Sequence, residues 1–322
     1  MLKLEYFYYM VEIAKAGTIN RAAENLYLSQ PYLSLSLKDM ENVLGVTLFS
    51  RTNKGVILTE AGKEFLEYSN QVIALVNKSN SLRKHYSSAR ERLSVTSMPS
   101  FTMMDLYHNF SASEPFKNCD ISYDELPNSL IFEKVIQGIH DIGICYIISE
   151  EYGIVLKEIT SQGLNFVPLV NEPLCAVVST DNPIFQKKRV LLKELDCFEF
   201  LVESIELPGK PSPVENNPFP HTFKKGRFRT KSFNNNRSLQ YYLTKSSHSF
   251  CIGQRALNLT NPFVQSGTLN YIPISDMKVS LITGYITCEA FISSPLEEAF
   301  IDYLEQFFQE YNESNPDLVL PV

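Results

Sequence analysis

Thr18-Ile-Asn-Arg-Ala-Ala-Glu-Asn-Leu-Tyr-Leu-Ser-Gln-Pro-Tyr-Leu-Ser-Leu-Ser-Leu-Lys38 reads as two short helices joined by a tight turn. Thr18 suits an N-cap, because its hydroxyl can accept from an orphan amide of the first turn. Ala22, Ala23 and Leu26 follow at helical spacing. Tyr27-Leu28 breaks that face, and Ser29 offers a second N-cap. Pro31 falls in the first turn of the next helix, where a missing N–H costs little. Leu33, Leu37 and Met40 make the apolar stripe of this second helix. Gln30, Ser34 and Lys38 make the opposite stripe, flanked by Tyr32 and Leu35. A small-residue helix, a turn and a polar-faced helix form the helix-turn-helix pattern, whose second helix enters the major groove of DNA.

The flanks extend this reading. Leu4, Phe7, Tyr8, Val11 and Ala14 predict a first helix over 2–16, ended by Gly17. The helix from Pro31 stops at Gly45. Arg51 to Leu58 reads as a hairpin with Asn53-Lys54-Gly55 at its tip, the wing of a winged helix. Gln30 is able to bond adenine in bidentate fashion, and Ser34 to donate or accept at a base edge. Pro31 and Tyr32 suit thymine methyls, and Lys38, Arg51 and Lys54 suit phosphates or the minor groove. The candidate DNA-binding set is Thr18, Arg21, Ser29, Gln30, Pro31, Tyr32, Ser34, Lys38, Arg51 and Lys54.

Ala22-Ala23-x-x-Leu26-x-Leu28-Ser29-Gln30-Pro31-x-Leu33-Ser34 resembles the signature of the LysR-type transcriptional regulators. Met40-Glu41-x-x-Leu44-Gly45-x-x-Leu48-Phe49-x-Arg51 and Leu58-Thr59-x-Ala61-Gly62 continue the same pattern. The resemblance implies an N-terminal α winged helix-turn-helix and a long linker helix. A C-terminal α/β two-lobed, periplasmic-binding-protein-like effector domain would follow. It also implies a double-stranded DNA operator, a small-molecule effector, a homodimer pairing into a homotetramer, contact with RNA polymerase, and no cofactor. DNA contact carries over onto Gln30, Pro31 and Ser34. Leu35-Ser36 departs from the family, which often has Arg or Gln there.

The expected domains are 1–58 for DNA binding, 59–90 for the linker and dimerisation helix, and 91–313 for the effector domain. Phe65, Tyr68, Val72, Leu75, Ser79, Leu82 and Tyr86 recur at alternating three and four, a coiled-coil seam. From Leu93 strands alternate with helices, which implies a parallel sheet with right-handed crossovers. Lobe I is expected over about 91–165 and 268–313, and lobe II over about 166–267. An effector would sit at strand C-termini between the lobes. The candidates are Ser97, Ser100, Asn128, Val202 and Glu203; Asn128 resembles an effector contact of the family. Hydroxyls and amides at helix starts suit a carboxylate. Glu203 opposes that, so a zwitterion or a cation is equally open. Each of these residues also reads as a plain helix cap. The loop over 207–229, rich in Pro and Asn and ending Lys224-Lys-Gly-Arg-Phe-Arg229, is longer than such a lobe requires.

Composition narrows the classes. The 322 residues carry a net charge of −7. Residues 1–92 hold 12 Lys and Arg against 9 Asp and Glu, a net +3 that leaves −10 on the remainder. The first part is thus the half suited to phosphates. No apolar run approaches the ~20 residues of a membrane-spanning helix. No basic segment followed by an apolar stretch opens the chain, so a cytoplasmic protein is expected. Cys119, Cys145, Cys175, Cys197, Cys251 and Cys288 are scattered, as buried reduced thiols would be, with Cys197 the one to examine for redox sensing. No Gly-rich phosphate loop, G-x-S-x-G elbow or metal-spaced His pair argues for an enzyme. The competing reading is a solute-binding receptor module whose DNA binding is weak or vestigial.

Overall fold

The computed structural model describes residues 2–53, 55–87, 91–203, 227–288, 294–317, 319 and 320; side chains of 74 and 77–87 also lie outside the description. Helices α1 (Leu4–Ala16), α2 (Ile19–Asn25) and α3 (Gln30–Leu44) precede a hairpin of β1 (Phe49–Thr52) and β2 (Gly55–Leu58). Met10, Ile13, Ala22, Leu33, Met40 and Leu48 are fully buried at its core. The methyl side chains of Ala22 and Ala23 let α2 approach its neighbours closely. Gly17 and Gly45 end α1 and α3 in the left-handed conformation, at φ of 68° and 74°.

Helix α4 (Glu60–Ser87) leaves this domain. Phe65 opens the expected seam but stacks on Phe7 at 5.6 Å and belongs to the N-terminal core. Tyr68 and Leu75 are half exposed, at 50% and 54%. Ser79, Leu82 and Tyr86 lie outside the described side chains.

The next elements are β3 (Arg92–Ser97), α5 (Phe101–Ala112), β4 (Asp120–Glu125), α6 (Asn128–Ile136), β5 (Ile142–Ile148), α7 (Tyr152–Ser161) and β6 (Leu164–Pro173). Then come β7 (Cys175–Ser179), β8 (Glu199–Glu203), β9 (Thr230–Phe233), α8 (Asn236–Leu243), β10 (Ser249–Gly253) and α9 (Pro262–Gln265). The chain closes with β11 (Leu269–Pro273), β12 (Ser280–Cys288) and α10 (Pro295–Ser314). Two five-stranded sheets result, in the orders β4-β3-β5-β12-β6 and β11-β7-β10-β8-β9. Strands β3, β4 and β5 are parallel as expected, whereas β12 runs antiparallel between β5 and β6.

The sheets partition the chain differently from the expected lobes. β6 lies in the first sheet and β11 in the second, because β6 pairs along its whole length with β12, and β11 with β7. Strand partners are set by register and not by chain order. Helix α7 was not anticipated: Glu151 at its N-cap makes no side-chain cap bond, so no start signal precedes it. Residues 204–226, most of the long Pro- and Asn-rich loop, lie outside the described residues.

Candidate nucleic-acid interface

The second helix of the helix-turn-helix projects from a capped and buried base. Thr18 Oγ1 accepts from Arg21 N at 3.3 Å, and Ser29 Oγ from Tyr32 N at 3.4 Å. Leu33, Ser36, Leu37 and Met40 face the core. Gln30, Pro31, Tyr32 and Lys38 are exposed, and Ser34 is half-buried. Arg21 and Ser29 are also exposed beside them, with Thr18 half-buried. The Tyr9 phenol is pushed up first by burial and then by Tyr32, which hydrogen-bonds it and so ties the start of α3 to α1.

Leu35 and Ser36 part company. Leu35 is 60% exposed on the reading side, whereas Ser36 is buried and cannot meet a base. Tyr27 was assigned no role by sequence beyond breaking a helical face. It stands 96% exposed in the turn before α3, in the left-handed conformation at φ 55°. An aromatic residue in a turn that needs positive φ was the only signal.

The wing is locked beside this face by backbone contacts. Val56 N donates to Gly17 O at 2.9 Å, and Thr52 Oγ1 to Gly55 O at 3.2 Å. Gly55 has φ 139°, and a Cβ there would lie 2.3 Å from Gly17 O, so only glycine permits this docking. Arg51 is exposed on β1; Lys54 lies outside the described residues. Behind the wing, Glu41 Oε1 accepts from Leu48 N at 2.7 Å and Phe49 N at 3.3 Å. Thr59 Oγ1 donates to Thr47 O at 2.7 Å and accepts from Gly62 N at 2.9 Å. Glu41, Thr59 and Gly62 therefore fasten α3, the hairpin and α4 together.

The effector candidates lie at or just beyond the ends of β3, β4 and β8. Ser97 Oγ contacts Met98 O and the Tyr123 hydroxyl at 2.7 and 2.6 Å. Ser100 caps α5 and donates to Leu257 O at 2.7 Å. Asn128 spends both ends of its amide on β5: Nδ2 donates to Tyr146 O at 3.0 Å, and Oδ1 accepts from Tyr146 N at 2.9 Å. These three side chains are committed to internal bonds. Val202 is half-buried on β8 beside Glu203. The Glu203 carboxyl is pushed up by burial and by the charge of Glu125, against hydrogen bonds from Asn236. Tyr146, which packs on the cores of both lobes, is pushed up to about 12 by burial and then by Glu203. Glu203 thus lies within electrostatic reach of both Glu125 and Tyr146.

Among the cysteines, Cys145, Cys175 and Cys251 are buried and Cys197 is exposed. Burial pushes the Cys175 and Cys251 thiols up to about 12, which suppresses their thiolates.

Three helices, a wing, a long helix and a pair of α/β lobes define a winged helix-turn-helix protein with a C-terminal two-sheet domain. Residues 4–63 match the family model described as the bacterial regulatory helix-turn-helix protein, lysR family. The chain is 29% identical over 199 residues to the uncharacterized HTH-type transcriptional regulator YnfL of Escherichia coli, covering 60% of this chain and 63% of that one. It is 26% identical over 216 residues to the Hca operon transcriptional activator HcaR of Escherichia coli, covering 66% and 69%. Among solved structures, full-length BenM aligns over 100% of both chains at 19% identity and a TM-score of 0.47. The match with YnfL thus spans just under two thirds of that relative's length. The family likeness is thus carried by the N-terminal residues 4–63, which are similar to the LysR-type bacterial helix-turn-helix regulators.

Proposed function

We propose that the protein is a sequence-specific DNA-binding transcriptional regulator, without enzymatic activity, controlled by a small-molecule effector in the cleft between its lobes. The observation that carries this reading is the stripe of exposed Gln30 and Lys38 with half-buried Ser34 between them, and the wing fastened beside it through Gly17 and Gly55. Gln30 and Ser34 read bases; Arg21, Lys38, Arg51 and Lys54 hold phosphates. Tyr27, at the turn, joins the backbone contacts. Residues 1–58 bind the operator, 59–90 pair two chains, and 91–313 sense the effector. Dimers that pair further into tetramers present recognition helices to spaced half-sites. Contact with RNA polymerase would turn occupancy into transcription.

A cytoplasmic location accords with the described residues, in which no helix is long and apolar enough to cross a membrane. No resident cofactor is needed. A receptor with vestigial DNA binding is disfavoured, because an intact reading helix and a locked wing are costly to keep unused.

The test is binding to fragments of the protein's own upstream region at two salt concentrations, against random duplex. A complex that resists competitor and weakens with salt supports the reading. Equal affinity for random duplex refutes it.

A further inference from the structure

Away from the cleft, lobe II carries a pocket of about 300 Å³ lined by Phe185, Lys187, Lys188, Arg255, Asn270 and Tyr271. Its cations stand out, because they lie in the part of the chain that carries a net −10. Lys187 is paired with Glu194. Lys188 and Arg255 are exposed, and neither has an acidic partner within ion-pair distance among the described residues. The wall is firm: Asn270 Nδ2 donates to Phe185 O at 2.8 Å, and Tyr271 is buried on β11. An open pocket with Lys188 free of any ion pair among the described residues, and Arg255 engaged only at longer range by the Glu172 carboxyl, favours an anion. The volume lies at the small end of ligand pockets.

We propose that this pocket binds a small multivalent oxyanion, a phosphate or a di- or tricarboxylate, held by Lys188 and Arg255 with Lys187 shared with Glu194. Arg255 supplies the planar two-donor edge that fits either oxyanion, and Lys188 a point charge. The position also gives the ligand leverage. Arg255 opens the segment 255–259, whose Ala256 and Leu257 are buried in the core of the other lobe. Ala256 N donates to Glu172 Oε2 at 2.9 Å, and the Arg255 charge acts on that same carboxyl. An anion drawing on Arg255 therefore acts on the chain crossing between the lobes, at a point separate from the cleft. The proposal does not depend on the DNA-binding reading, because its test measures ligand binding.

The experiment is titration of the full-length protein with inorganic phosphate and, separately, with citrate, followed by calorimetry and thermal unfolding. Acetate at matched ionic strength is the control. Saturable binding with a rise in the unfolding midpoint is expected for at least one probe, and the arm that binds assigns the oxyanion class. Lys188→Ala and Arg255→Gln should each weaken it by about tenfold, the loss of one charge-assisted contact. Lys193→Ala, an exposed lysine outside the pocket, should leave it unchanged. Absence of saturation by both probes overturns the proposal. So does an equal loss in Lys193→Ala, which would mean diffuse screening. Lys188 is exposed, so its variant keeps the test valid if Arg255→Gln folds poorly.

Discussion

Gly62→Ala tests the junction between the wing and the long helix, because two opposed effects are sized by the structure. Gly62 sits in the first turn of α4, where alanine would ordinarily stabilise a helix by about 1 kcal/mol. A methyl group there would lie 2.0 Å from Leu48 O, 3.0 Å from Leu48 C and 3.2 Å from Leu58 Cδ2. Relief requires α4 and the 47–49 segment to part by about 1 Å or more, well beyond an ordinary packing adjustment. That segment is held by Thr59 N to Leu48 O at 3.0 Å and Thr59 Oγ1 to Thr47 O at 2.7 Å. Losing these two bonds costs about 1 kcal/mol each, and overpacking about 1–3 kcal/mol more. The net expectation is a loss of about 2–4 kcal/mol, so the clash outweighs the helix gain. Hydrogen exchange of the full-length protein, read on peptides spanning 47–62, should show faster opening there and no change in the lobes. Gly153→Ala is the matched control. Gly153 lies near the start of α7 with nothing within 4 Å of a Cβ, and should stabilise by about 0.4–1 kcal/mol. If Gly62→Ala slows exchange as Gly153→Ala is expected to, the packing argument for the Thr59-x-Ala61-Gly62 motif is wrong.

Ser34→Arg should abolish or redirect site preference in a competition selection while the fold stays intact; unchanged preference would remove α3 from base reading. Asn128→Ala should destabilise the lobes by about 2 kcal/mol with no ligand present, measured by urea unfolding, because two bonds to Tyr146 are lost. Leu75→Glu places a charge on a half-exposed seam position and should shift dimers toward monomers in sedimentation; unaltered assembly would clear that part of α4. Burial raises the Glu172 carboxyl above its ordinary range, so its proton is bound more tightly in the folded chain. Its contribution to stability is complete on the acid side and is lost as pH rises through the raised value. Glu172→Gln should therefore flatten the fall in stability upward from about pH 4; an unaltered slope would assign it to another group.

Local chemistry explains what was legible. Thr18, Ser29, Gly17 and Gly45 announce helix ends through their own caps, and the structure uses each of them that way. Ser36 was legible too: it lies three residues from Leu33 and four from Met40, on the buried stripe. Phe65 fits a heptad seam and a small-domain core equally well, and only the presence of Phe7 decides between them. The lobe boundaries could not be read, because β12 joins β5 to β6 across more than a hundred residues of chain. Nor could the fate of Asn128, whose partners belong to a strand eighteen residues away in sequence.

The crossings between the lobes are fastened by buried polar groups. The chain passes from one sheet to the other after β6 and after β11, and after β10 it dips into the core of the first sheet at Ala256 and Leu257 before returning to β11. Each passage is pinned by polar groups taken out of water. Glu172, buried, accepts from Ala256 N and from the Tyr311 hydroxyl. Gln254, buried, accepts from Thr283 Oγ1 at 2.6 Å and donates to Leu281 O at 3.4 Å. Ile274 N donates to Leu174 O at 3.0 Å, tying two of the passages together. A small rotation of the lobes would leave several of these groups buried and unpaired, at about 1–3 kcal/mol apiece. The buried polar groups at the crossings therefore hold the two sheets in the arrangement described.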